Sequence, residues 1–249
     1  MRDVKVFAIA AAAGLLIAGS LQAQSGIGQM KWVGVNGNWA PFSTDGGLHS
    51  FNIYTDPYRA QFHVATNYTG VLLPPSGSPF GPTSDIFCVD FDHYANTGTS
   101  NVWFTTLADG QANAGWFGTY TRSTSLQKYV EAAYLSHKIQ TGGDKALYSA
   151  AIWQIMTGTP FMYKNGVWHD VWGAVNDATL AYEGGTTDVN LSEWAVVSEY
   201  KYDPNRNKIL GDHQEFLTQV TPEPATLLLL GTGLVVMLMA AGAFRRPTV

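Results

Sequence analysis

"STSLQKYVEAAYLSHKI" (Ser123–Ile139), followed almost at once by "GDKALYSAAIWQIMTG" (Gly143–Gly158), reads as two successive helices in a chain that otherwise reads largely as strands. In the first, Leu126, Tyr129, Val130, Ala133 and Tyr134 recur at helical spacing, and Thr124 or Ser125 supplies an N-cap oxygen. In the second, Asp144 caps, Leu147, Ala150, Ala151 and Gln154 share a face, and Gly158 ends the last turn. A third helix is expected over "DVWGAVNDATLAYEGG", from an Asp170 cap to Gly184 and Gly185. Working outward, "MKWVGVN", "LHSFNIYT", "AQFHVATNYTGVLL", "DIFCVDFDHY" and "NVWFTTL" carry the β-branched and aromatic residues of strands between Gly, Pro and Asn punctuation. "LPPSGSPFGPTSD" is a loop, and "EWAVVSEY" and "EFLTQV" are closing strands. Strands and helices in blocks, not in alternation, indicate an α+β fold: sandwich- or barrel-like strands with an inserted helical subdomain.

Charged residues make up only 13% of the chain, against about 25% in ordinary globular proteins. Between Gln24 and Pro224, ten Lys and Arg face eighteen Asp and Glu, a net charge of −8. Phosphate neutralisation needs clustered cations, so nucleic acid is not an expected partner. Cys88 is the only cysteine, which rules out a disulfide within the chain and leaves stability to the core. The tryptophans (Trp32, Trp39, Trp103, Trp116, Trp153, Trp168, Trp172 and Trp194) are expected mostly in that core. "NVWFTT" and "GWFGTY" are the alternative, carbohydrate-stacking reading.

Both ends point to export. Arg2 and Lys5 precede an apolar stretch from Val6 to Ala18 and then the small residues of "GSLQAQ", a secretory signal pattern spanning residues 1–23, with cleavage expected between Ala23 and Gln24. At the other end, Ala225 to Phe244 runs without a charge, close to the ~20 residues a helix needs to cross a ~30 Å hydrocarbon core. Arg245 and Arg246 follow immediately and, by the positive-inside rule, hold that end in the cytoplasm. The globular part is then residues 24–220, exported as one domain, with a C-terminal transmembrane helix over 225–244.

Pro222, Glu223 and Pro224, followed by the apolar span and the two arginines, resemble the PEP-CTERM sorting signal of Gram-negative bacteria, here residues 221–249. In that family the tripeptide is read by a membrane-embedded exosortase, a cysteine transpeptidase-like enzyme that cuts near the motif. The resemblance implies that Pro222–Pro224 are a substrate site for another protein. It also implies an inner-membrane intermediate made by the secretion machinery, a final place at the cell surface or outside it, and association with exopolysaccharide. Two prolines fix their own φ and favour extended neighbours, a shape that enters a protease-like cleft.

"FCVDFDHY" and "ALYSAAIWQIM" resemble the two signatures of bacterial surface thioester domains, in which a cysteine ending a strand condenses with a glutamine preceding an Ala-Ile-Trp helical motif and expels ammonia. Phe87, Cys88, Val89 and Asp90 match the first signature, and Ala151, Ile152 and Trp153 the second, but Ser149 occupies the glutamine position. Gln154 is the nearest substitute; five residues on, it sits about 140° round the helix. Cys88 paired with Gln154 makes a covalent adhesin; Cys88 as a small buried hydrophobe makes a structural domain. A secreted cysteine hydrolase would need His93, His137 or His169 beside Cys88. Asp90 and Asp92 share a strand face and could hold a weak calcium ion, but the EF-hand pattern is incomplete. No His pair has zinc spacing and no phosphate loop follows a strand, so no cofactor is expected. The leading expectation is a non-enzymatic, exosortase-processed surface or matrix protein.

Overall fold

Side chains that alternate along a strand must find an apolar surface on at least one face, and here six strands find it by closing on each other. The computed structural model describes residues 26–35, 37–65, 80–91, 98–113, 117, 121–203, 208–210 and 214–220, all within the compact unit Gln24–Val220. The signal sequence with Ala23 and Gln24, Asp92, His93, Trp116, the Pro222–Glu223–Pro224 motif, the 225–244 span and Arg245 and Arg246 lie outside the described residues. Among the described residues no helix is long and apolar enough to cross a membrane.

In chain order the elements are β1 (Gly26–Val35), β2 (Trp39–Ser43), β3 (Phe51–Tyr54), β4 (Tyr58–Ala65), β5 (Thr83–Cys88), β6 (Thr99–Thr106) and α1 (Leu107–Ala112). Then come α2 (Leu126–Gln140), α3 (Lys145–Thr157), β7 (Met162–Asn165), β8 (Val167–Asp170), α4 (Trp172–Glu183), β9 (Trp194–Asp203), β10 (Lys208–Leu210) and β11 (Glu215–Gln219). The order β9-β11-β5-β4-β1-β6 returns to β9 through β6, every pair antiparallel, so the expected sandwich- or barrel-like sheet is a closed six-stranded barrel. Strand β10 extends β9 beyond the ring, and β3-β2-β7-β8 form a separate four-stranded sheet. Helices α1 to α4 and the β7–β8 hairpin are inserted between barrel strands β6 and β9.

Met30, Ala60, Ile86, Val102, Phe104, Ala195, Val197 and Phe216 are buried against one another, and each of the six ring strands contributes at least one. That face is therefore the barrel interior. On the opposite face Phe87, Trp194, Val196 and Leu217 pack into a second core with the helices. At β1 the register slips between Trp32 and Gly34, leaving Val33 as a bulge residue, and Gly34 takes a φ of 143° that other residues rarely adopt.

The two helices read first begin and end as their caps require. Ser125 accepts from Lys128 N, and Asp144 accepts from Ala146 N and Leu147 N. Gly158 closes α3 in the left-handed conformation at φ 77°. For α4 the expected Asp170 cap is displaced: Asp170 ends β8, the N-cap is Val171, and Asp170 Oδ1 accepts from Trp172 N. Trp153 anchors α3, its ring 5.1 Å from Phe42 edge-on and 5.5 Å from Phe91, while Phe91 meets Phe161 at 4.8 Å. Each such ring pair contributes about 0.5–1.5 kcal/mol beyond its buried area. The tryptophans divide more evenly than expected: Trp153 and Trp194 are buried, but Trp39 and Trp172 are 56% and 54% exposed.

Candidate functional site

Strand β5 ends at Cys88 and pairs antiparallel with β11, placing Cys88 opposite Phe216. Side chains on a strand alternate, so Gln214, two residues before Phe216, emerges on the same side as Cys88 and at the diagonal position a long side chain can reach. Val89 N donates to Glu215 O at 3.1 Å, carrying the pairing one step past the strand and holding both chain ends together.

The carboxamide of Gln214 is turned onto the sulfur. Its Nε2 lies 2.6 Å from Cys88 Sγ and donates to Asp90 O at 3.1 Å, and the Cys88 thiol donates to the same carbonyl at 3.3 Å. One acceptor thus fixes both groups. The carboxamide carbon, one ~1.33 Å bond from Nε2, is at most about 3.9 Å from Sγ. The N···S contact is a hydrogen bond in which Gln214 Nε2 donates to the sulfur.

The helical signature meets the cysteine strand but not through Gln154. Trp153 Nε1 donates to Cys88 O at 3.0 Å, so the Ala-Ile-Trp segment docks on the cysteine's own peptide. Gln154 is buried and turned elsewhere: its Oε1 accepts from Phe161 N at 2.9 Å, and its Nε2 has no hydrogen-bond partner among the described residues. The carboxamide beside Cys88 is that of Gln214, not that of Gln154, which the alternative adhesin reading set against it. The physical reason is that a carboxamide on α3 closes the turn that follows the helix, whereas one at the start of β11 is carried to the sulfur by strand register. Ser149, at the signature's glutamine position, donates to Thr55 O at 3.4 Å.

A recess of about 10 Å3, room for roughly one water molecule and partly open to solvent, is bordered by Cys88. Tyr54, Asp56, Tyr58, Ser149 and Trp153 line it together with Cys88. Asp56 is buried, accepts from Asn38 N at 3.1 Å and pairs with the Lys145 ammonium. Burial, and then the charges of Cys88 and Tyr54, lift the Tyr58 phenol well above its usual range. Burial likewise pushes the Cys88 thiol up to about 12, outweighing the hydrogen bond to Asp90 O that pulls the other way.

That direction is opposite to what a turning-over cysteine nucleophile needs, a thiolate favoured near neutral pH. His137 and His169 are exposed, and no histidine is among the recess residues. Asp90, read with Asp92 as a weak calcium site, pairs with Arg122, whose Nε lies 2.5 Å from Asp90 Oδ2; Asp92 lies outside the described residues. Among the described residues no group of three or more His, Cys, Asp or Glu is placed to hold a metal ion.

Beneath the pair, on the helical side of β11, Glu215 is fully buried. It accepts from Tyr129 OH at 2.5 Å, Ser198 Oγ at 2.7 Å and Arg122 N at 3.0 Å. Burial raises its carboxyl above the usual range despite those donors. Gln214 is the residue beside Cys88 that motif reading does not single out. The available signal was positional: a cysteine at the end of one strand faces the start of its antiparallel partner, and "QEFLTQV" begins with a glutamine. Comparison of the chain with protein-family models, curated proteins and solved structures gave no match.

Proposed function

We propose that this chain is an exported, non-enzymatic surface protein whose 24–220 domain carries an internal thioester between Cys88 and Gln214, used once to attach the protein covalently to its surroundings. The observation that supports the thioester is the Gln214 carboxamide held 2.6 Å from Cys88 Sγ by a carbonyl that also accepts the thiol. In the forming step Sγ attacks the Gln214 carboxamide carbon, the C–N bond breaks, and the thiol proton leaves with the nitrogen as ammonia. In the attachment step a nucleophile such as a primary amine attacks that carbonyl. A new amide forms, the C–S bond breaks, and the thiol of Cys88 returns with the amine's proton.

A thiol whose ionisation burial opposes suits a step taken once per molecule better than a catalytic cycle. Pro222–Glu223–Pro224, the 225–244 span and Arg245–Arg246 support sorting by an exosortase at the membrane, and the low charge of the domain is compatible with exopolysaccharide nearby. Intact-mass measurement of the full chain tests the reading. Wild-type protein should be lighter than its sequence mass by one ammonia and should add methylamine, whereas Cys88→Ala and Gln214→Ala should do neither. An unshifted wild-type mass refutes it.

A further inference from the structure

The pair forms only if the end of β5 and the start of β11 are held still relative to each other, and one residue outside both strands reaches both. Arg122, in the segment before α2, places its guanidinium Nε 2.5 Å from Asp90 Oδ2, and its backbone N donates to Glu215 Oε1 at 3.0 Å. Asp90 carries the carbonyl that accepts from the Cys88 thiol and from Gln214 Nε2, and Glu215 directly follows Gln214. Asp90 is 8% exposed, so the charge on its carboxylate is one that burial makes costly without a partner.

We propose that Arg122 is a positioning residue for thioester formation, clamping the Asp90 carbonyl at the point where thiol and carboxamide meet. The inference rests on the Cys88–Gln214 reading. Arg122 touches neither reacting atom in this role; it fixes the loop whose carbonyl does. Without its charge the Asp90 side chain turns outward to water, the 89–91 turn relaxes, and the shared acceptor moves off the line between Sγ and Nε2.

The test follows thioester formation in the full-length chain at successive times after synthesis, by intact mass and by incorporation of labelled methylamine, with a thermal melt of every variant. Arg122→Met keeps the length of the stem and removes the charge. It should fold and form the thioester at least about tenfold more slowly, since misplacing reacting groups by ~1 Å costs up to about 100-fold. Arg122→Lys should recover much of the rate. Asp90→Asn should lose as much as Arg122→Met, and the double variant should lose no more than either, the mark of one shared interaction. Formation at the wild-type rate in Arg122→Met overturns the clamp and leaves the thioester standing. A wild-type chain that never loses ammonia overturns both. Should Arg122→Met fail to fold, Asp90→Asn decides, and a wild-type rate there also overturns the clamp.

Discussion

Removing one oxygen, in Tyr129→Phe, measures how strongly the buried Glu215 depends on its donors. Tyr129 OH donates to Glu215 Oε2 at 2.5 Å and accepts from Ser123 N at 3.0 Å. Ser123 is only half-buried, so water can replace that second bond. Glu215 is fully buried, and its Oε2 would lose the Tyr129 donor. A hydrogen bond to a charged group is worth about 1.5–3 kcal/mol, and one between neutral groups about 0.5–1.5 kcal/mol. The variant should therefore lose about 1.5–3 kcal/mol where Glu215 is ionised, a melting shift on the order of 3–12 °C for a domain of this size.

The loss should depend on pH in one direction. Because folding raises the Glu215 carboxyl above its ordinary 4.5, the folded state binds that proton more tightly than the unfolded state. The associated stability is complete below pH 4.5 and fades as pH rises through the raised folded value. The Tyr129→Phe penalty should accordingly be smallest in acid and grow as Glu215 ionises. Urea denaturation of wild type and variant across that range measures both curves. A penalty below about 0.5 kcal/mol at neutral pH, within the range of ordinary surface substitutions, would refute the reasoning.

Gln154→Ala should cost about 1–3 kcal/mol, because Phe161 N loses its buried acceptor, yet leave methylamine uptake unchanged in the same preparation. In Gln214→Ala, where Cys88 stays a free thiol, alkylation should be slow at neutral pH and accelerate as pH climbs towards about 12; rapid neutral alkylation would contradict the burial of the sulfur. Asp144→Ala should lower stability by about 1 kcal/mol in chemical denaturation through the uncapped α3, and a loss no larger than error would show that the cap is replaced by water.

The helical block was legible because its signals are local: Ser125, Asp144 and Gly158 act where they stand, and the observed caps use them. Strand existence was legible for the same reason in β1, β3, β4, β5, β6, β9 and β11. Strands β2, β7 and β8 escaped because "WAPFS" contains a proline and "MYKNGVWHD" is too short and polar to show a period, so their pairing is decided by tertiary partners. The site was half legible. Cys88 and Trp153 stand in motifs, but Gln214 is 126 residues from Cys88, and only the antiparallel register of β5 against β11 relates them. A motif that names a glutamine on a helix drew attention to Gln154, a carboxamide nearby in sequence that the fold turns toward Phe161 N.

Gln214 immediately precedes β11, the last strand of the ring, and the chain beyond Val220 leads to the Pro222–Pro224 motif read as the exosortase's substrate site. A target bonded to Gln214 and whatever the processed end beyond Val220 is joined to would be linked by the short backbone between them. Tension on such a tether would bypass the helices and most of the barrel, straining the edges of β11 against β5 and β9 and little else. The domain would then work as a housing around a short covalent line, able to lose its fold under load without letting go.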